Sequence, residues 1–103
     1  MFRLVRAVLG AAAVTLCLAQ TMNTGAFRGA VRDQSGAVLP GAKVRVERLD
    51  PPLAREVFTN AQGEYVAQEI PPGDYRIVFT AKGFETSIRT GLALSAGQSI
   101  RVD

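Results

Sequence analysis

Apolar and polar residues alternate along most of the chain from Phe27 onward, most regularly between Gly63 and Phe84. In Tyr75–Lys82, Tyr75, Ile77, Phe79 and Ala81 share one face, with Arg76, Thr80 and Lys82 on the other. A period of two sustained over such a segment predicts a half-buried strand. Upstream, Tyr65-Val66-Ala67 leads to Ile70, and Pro71-Pro72-Gly73-Asp74 then interrupts regular structure. Pro72 presets φ and Gly73 tolerates φ > 0, which predicts a type II turn and a strand–turn–strand hairpin.

The alternation recurs on both sides of this segment. Phe27 to Asp33 predicts a first strand with Phe27 and Val31 on one face. Ala42 to Leu49 predicts a second, with Val44 and Val46 inward and Lys43, Arg45 and Glu47 outward. Ala54 to Thr59 is a weaker third strand, and Pro51 and Pro52 just before it mark it as a sheet edge. Phe84 to Ser95 carries Ile88, Thr90, Leu92 and Leu94 on one parity, with Gly91 as a candidate bulge. Ser99 to Asp103 begins a last strand with Ile100 and Val102 inward. Short strands with Gly or Pro corners every ~8–12 residues predict an all-β, seven-stranded antiparallel β-sandwich. Its predicted core is Phe27, Val31, Val44, Val46, Val57, Tyr65, Ile70, Tyr75, Ile77, Phe79, Ile88, Leu92, Leu94 and Ile100.

The N-terminus follows a different pattern. Arg3 and Arg6 precede an apolar run from Ala7 to Ala19 that ends in Cys17-Leu18-Ala19, with small residues where a signal peptidase reads. As a helix the run would reach roughly 20 Å, short of the ~30 Å hydrocarbon core. Residues 1–19 therefore read as a signal peptide, residues 20–25 as a flexible lead-in and residues 26–103 as the folded domain. No transmembrane span is expected in the mature chain. Leu16 before Cys17 does not fit a lipidation site, and cleavage after Ala19 leaves a chain without cysteine.

Export also changes the charge argument. The full chain carries 12 basic and 9 acidic residues, but two of the arginines belong to the signal, which leaves +1. The remaining cations are dispersed among acids, so no nucleic-acid partner is expected. The chain has no histidine, and its one cysteine lies in the signal. This removes the commonest general base, thiol nucleophiles and most zinc sites. Asp33, Asp50, Glu64, Glu69 and Asp74 sit at corners, where carboxylates mostly bind backbone amides or face water. The expectation is a non-enzymatic protein with no catalytic residue, metal or cofactor. Tyr65 and Tyr75 belong to apolar strand faces, which leaves Phe58 and Phe84 as the aromatics available to contact a ligand.

Three stretches carry a family resemblance: Gly29 to Val46 (GAVRDQSGAVLPGAKVRV), Thr59 to Tyr65 (TNAQGEY), and Ile70 to Ile77 (IPPGDYRI) followed by Ala81 to Phe84 (AKGF). In order and spacing the chain resembles the carboxypeptidase regulatory-like domain, a prealbumin-like, Ig-like sandwich. With a signal peptide in front and GLALSAGQSIRVD behind, it looks like the start of a TonB-dependent outer-membrane receptor. In such receptors the resemblance implies a periplasmic extension ahead of a plug and a 22-stranded barrel. A chain of 103 residues has no room for that barrel, so the expectation is the extension or a truncated copy of it. The resemblance implies as partners the receptor plug and barrel or another periplasmic protein, met by edge-strand pairing or surface docking. The alternative is a carbohydrate-binding module, since similar sandwiches are grouped with carbohydrate-binding-like folds.

Overall fold

The computed structural model describes residues 23–103. Residues 1–19, expected to be a signal peptide, and residues 20–22 of the expected lead-in lie outside the described residues. Seven strands follow: β1 (Gly25–Ala30), β2 (Lys43–Arg48), β3 (Leu53–Phe58), β4 (Glu64–Ile70), β5 (Gly73–Thr80), β6 (Ser87–Leu94) and β7 (Ser99–Arg101). They form a sandwich of two sheets, ordered β4-β1-β7 and β3-β2-β5-β6. β1 begins inside the stretch read as lead-in, and the Thr24 carbonyl already accepts from the Gly97 N–H at 2.9 Å.

Two expectations about connectivity are corrected. Pro71-Pro72 does not close a hairpin: β4 pairs with β1, whereas β5 pairs with β2 and β6, so the two prolines carry the chain from one sheet to the other. β4 and β5 each present a buried alternate set, and these sets meet face to face across the core. Tyr65 and Phe79 pack edge to face with ring centroids 5.8 Å apart. A passage between sheets has no ladder to continue, so it tolerates residues without an N–H. Gly73 does take a positive φ, 156°, but the left-handed helical backbone near this corner belongs to Glu69, with φ of 57°.

The second correction concerns direction. Every strand pairing is antiparallel except β1 with β7, which is parallel. β6 delivers the chain to the level of Gly25, where β1 starts. There the Ser95–Gln98 turn is held by Gln98 N–H to Ser95 O and by Ala26 N–H to Gln98 O. A strand reversing from that end must run alongside β1 in the same direction.

Gly91 forms the expected bulge. Leu92 lies opposite Tyr75 while Arg89 lies opposite Ile77, and Gly91 has φ of 70°. The extra residue inverts the parity of the strand on its far side. Ile88 consequently faces outward beside Val78 and is 50% exposed, so it leaves the predicted core. Phe27, Val44, Val46, Tyr65, Ile70, Tyr75, Ile77, Phe79 and Leu94 are buried as expected, with Val31, Val57, Leu92 and Ile100 half-buried against them. Ala30, Ala42, Ala67 and Val102 complete the buried set.

Each end of the core is closed by a polar side chain. At one end Arg48 lies over the Tyr75 ring at 5.8 Å and donates to the carbonyls of Pro51 and Pro72, at 2.9 and 3.2 Å. At the other, the Thr59 hydroxyl accepts from Ala42 N–H at 2.8 Å and donates to Leu39 O at 2.5 Å. Thr59→Val keeps the volume and leaves both backbone groups without partners. At about 1–3 kcal/mol per buried unsatisfied group, the two groups together should cost the variant about 2–6 kcal/mol. Urea unfolding checks this as a lower midpoint at unchanged slope.

Candidate functional site

The connections between β1 and β2 and between β5 and β6 meet at the Thr59 end of the sandwich and enclose an open cleft of about 680 Å³. Phe79, Ala42, Leu39 and Val31, buried or half-buried, form its floor. Arg32, Asp33, Gln34, Ser35, Phe84, Glu85 and Thr86 form the rim. The volume lies within the range of small-ligand sites, ~300–1,000 Å³.

The β1–β2 connection is pre-organised by its own sequence. Arg32 and Val38 form an isolated antiparallel bridge. Inside it, the Asp33 carboxylate accepts from the Ser35 hydroxyl at 2.6 Å and from the Ser35 and Ala37 N–H groups at 2.9 and 3.0 Å. The Arg32 guanidinium donates to Gly36 O at 3.2 Å. Aspartate is suited to such a turn because its short side chain reaches backbone donors two and four residues on. The Ser35 hydroxyl first, then Ala37 N–H, hold the Asp33 carboxyl below the ordinary carboxylate range.

A second carboxyl is held down in the same way. Asp103 accepts from Ala30 N–H at 2.8 Å and pairs with Arg101, and these contacts lower its pKa. Burial pushes the neighbouring Tyr65 phenol upward, and the Asp103 charge adds to the effect. A depressed folded-state pKa contributes stability above the unfolded value, near 4, and loses it as pH falls through the folded value. Acid destabilisation below about pH 4 should therefore be weaker in Asp103→Asn, whose amide oxygen still accepts from Ala30. Urea midpoints compared at pH 7 and pH 3 read this directly. Equal acid loss in both proteins would remove Asp103 from the account.

The two aromatics expected to contact a ligand are both exposed, Phe58 to 60% and Phe84 to 50%, but they are not brought together. Phe84 lines the cleft. Phe58 sits at the end of β3, opposite Lys43, on the outer face of the four-stranded sheet. Sequence reasoning missed the polar rim around Phe84. Asp33, Ser35, Glu85 and Thr86 belong to separate turns, and only the sheet order makes those turns neighbours. Of the corner carboxylates only Asp33 lines the cleft; Asp50, Glu64, Glu69 and Asp74 do not. Among the described residues no group of three or more Asp, Glu, His or Cys could hold a metal ion, and no helix is long and apolar enough to cross a membrane.

Comparison with known proteins agrees with this architecture. The TonB-dependent transporter Oar of Myxococcus xanthus is 38% identical over 66 residues, which cover 62% of this chain and 6% of the transporter. The chain thus matches a small part of that protein's length. Among solved structures, a candidate carbohydrate-binding protein of Bacteroides uniformis superposes with a TM-score of 0.59 at 16% identity. It covers 78% of this chain and 40% of its own. A candidate carbohydrate-binding protein of Pseudomonas aeruginosa gives 0.53 at 19% identity, over 80% of this chain and 88% of its own. At these identities the two structures speak to the fold alone. The family model of the carboxypeptidase regulatory-like domain matches residues 26–103, the whole sandwich apart from Gly25, and the chain belongs to that family.

Proposed function

We propose that this chain is an exported, non-catalytic interaction domain acting on the periplasmic side of the outer membrane, as the N-terminal extension of a TonB-dependent receptor or a copy of it. The observation that carries this reading is its 38% identity to the transporter Oar. A chain without histidine, whose one cleft-facing Asp is committed to its own turn, supports a binding role over a catalytic one. The partner on this reading is the receptor's plug and barrel or another periplasmic protein. Expression in a Gram-negative host followed by osmotic shock tests the first requirement. The protein should appear in the shock fluid with an intact mass beginning at Gln20. Retention in the cytoplasm at full precursor mass would contradict the reading.

A second reading, carbohydrate binding, is favoured by one specific feature: the cleft, where exposed Phe84 stands beside a rim of hydroxyl, amide and charged groups. Stacking of a sugar's C–H face on an aromatic ring, with hydrogen bonds from such a rim, is a workable mode of recognition. Titration with neutral oligosaccharides should shift the amide resonances of Phe84 and Thr86, and Phe84→Ala should abolish the shifts while Phe58→Ala leaves them. A response centred on Phe58, or none, would rule out the cleft.

A further inference from the structure

The sandwich has four sheet edges, and three of them are blunted. β7 is only three residues long. β6 is kinked by the Gly91 bulge. β4 ends in the left-handed Glu69, and the carbonyls of Gln68 and Glu69 already accept from the Arg55 guanidinium, at 3.0 and 3.5 Å. Short edges and bulges are the usual means by which sheets avoid unwanted pairing. β3 has neither. Its six residues, Leu53–Phe58, contain no Pro, Gly or Lys and pair with β2 without a register shift.

The backbone groups that β3 leaves free follow from one hydrogen bond. Thr59 N–H donates to Ala42 O, so the two residues stand at a hydrogen-bonded pair position of the ladder, with the return bond from Ala42 N–H taken by the Thr59 hydroxyl. In an antiparallel ladder such pairs recur at every second residue. Val57, Arg55 and Leu53 therefore bond to β2, while the N–H and C=O groups of Ala54, Glu56 and Phe58 point away from it. The side chains of those three residues lie exposed on the outer face of the sheet.

We infer that β3 accepts an extended strand from a partner polypeptide, which joins the sheet as a fifth strand with a Lys or Arg beside Glu56 and an apolar residue beside Phe58. Main-chain bonds to the free edge would supply the affinity, and alternate side chains the selectivity. Charge disfavours a second copy of this chain as the occupant. The two antiparallel self-pairings with the longest overlap centre on Glu56 or on Arg55, and so set like charges directly opposite each other, which is destabilising. A basic residue in that place meets the Glu56 carboxylate, whose Oε1 is engaged by Arg45 at 3.0 Å. The inference rests on the reading of this domain as an interaction module and names the surface that reading leaves open.

The test uses a synthetic extended peptide of alternating valine and threonine with one central arginine, joined to the C-terminus of the exported protein by a flexible Gly/Ser linker to raise its effective concentration. Amide hydrogen exchange at Glu56 and Phe58 should slow by about tenfold or more, with no comparable change at Thr86 in the cleft. Ala54→Pro removes one outward donor and leaves the β2 ladder intact, and it should reverse most of that protection. Glu56→Lys leaves the backbone unchanged and should switch the preference to a peptide carrying glutamate instead of arginine. Unchanged exchange at Glu56 and Phe58, or equal protection by both peptides in the unsubstituted protein, overturns the inference. Protection confined to the cleft also overturns it, yet spares the broader reading of an interaction domain.

Discussion

Gly29→Ala is expected to cost this small domain about 3–5 kcal/mol, a large share of the ~5–15 kcal/mol typical of whole domains. Gly29 is the penultimate residue of β1, with β4 on one side and Val102 and Asp103 on the other. A Cβ built there would stand 1.9 Å from Val102 O and 2.7 Å from Val102 C. Those are backbone atoms and cannot swing aside. Relief requires Val102 and Asp103 to peel away from β1. That forfeits Val102 N–H to Arg28 O at 2.7 Å, Ala30 N–H to Asp103 at 2.8 Å, and the bond from the buried Tyr65 hydroxyl to Val102 O. Overpacking costs about 1–3 kcal/mol, and each lost hydrogen bond adds about 0.5–1.5. Urea unfolding gives the total, and amide exchange at Ala30 and Val102 shows where it arises. Wild-type protection at both amides would mean that the close approach of the C-terminal segment to β1 is not as described.

Phe27→Ala should be comparably damaging for a different reason. Phe27 is fully buried at the centre of β1 and meets Tyr75 edge to face, with centroids 5.6 Å apart and ring planes inclined by 70°. It joins the three-stranded sheet to the four-stranded one, so a cavity at this site is walled by both layers and collapses poorly. Phe-to-Ala changes in cores cost about 3–5 kcal/mol. Phe27→Leu retains most of the volume and should cost no more than about 1.5 kcal/mol. Denaturant midpoints of the two variants separate packing from mere hydrophobicity. Similar losses for both would show that ring geometry, not cavity volume, dominates.

The strands of this fold are legible in the sequence because its inward positions are large and its corners are Gly and Pro. Val44, Val46, Ile77 and Phe79 announce β2 and β5 by period two alone, and both elements fall within two residues of expectation. What periodicity cannot carry is which strands become neighbours. Pro71-Pro72 reads equally well as a hairpin turn and as a passage between sheets, because either use needs only a break in the ladder. Gly91 shows a related limit. A bulge can be located from a glycine, but the face on which Ile88 falls depends on the number of residues the bulge absorbs. The candidate site was legible only in part for the same reason. Phe84 stands out as an aromatic at a corner, yet its partnership with Asp33 and Ser35 depends on sheet order. The edge strand fared differently: Pro51 and Pro52 mark β3 from the sequence, but only the Thr59–Ala42 bond shows that Val57 pairs inward and Ala54 outward.

The proposal that this sandwich is the N-terminal extension of a TonB-dependent receptor is best tested by reading the coding sequence downstream of codon 103 in all frames. The expected reading is a plug followed by segments of alternating hydrophobicity, each about ten residues long, the mark of membrane-barrel strands. A stop codon followed by sequence unrelated to any plug or barrel would contradict the extension and leave only a free-standing copy of the domain.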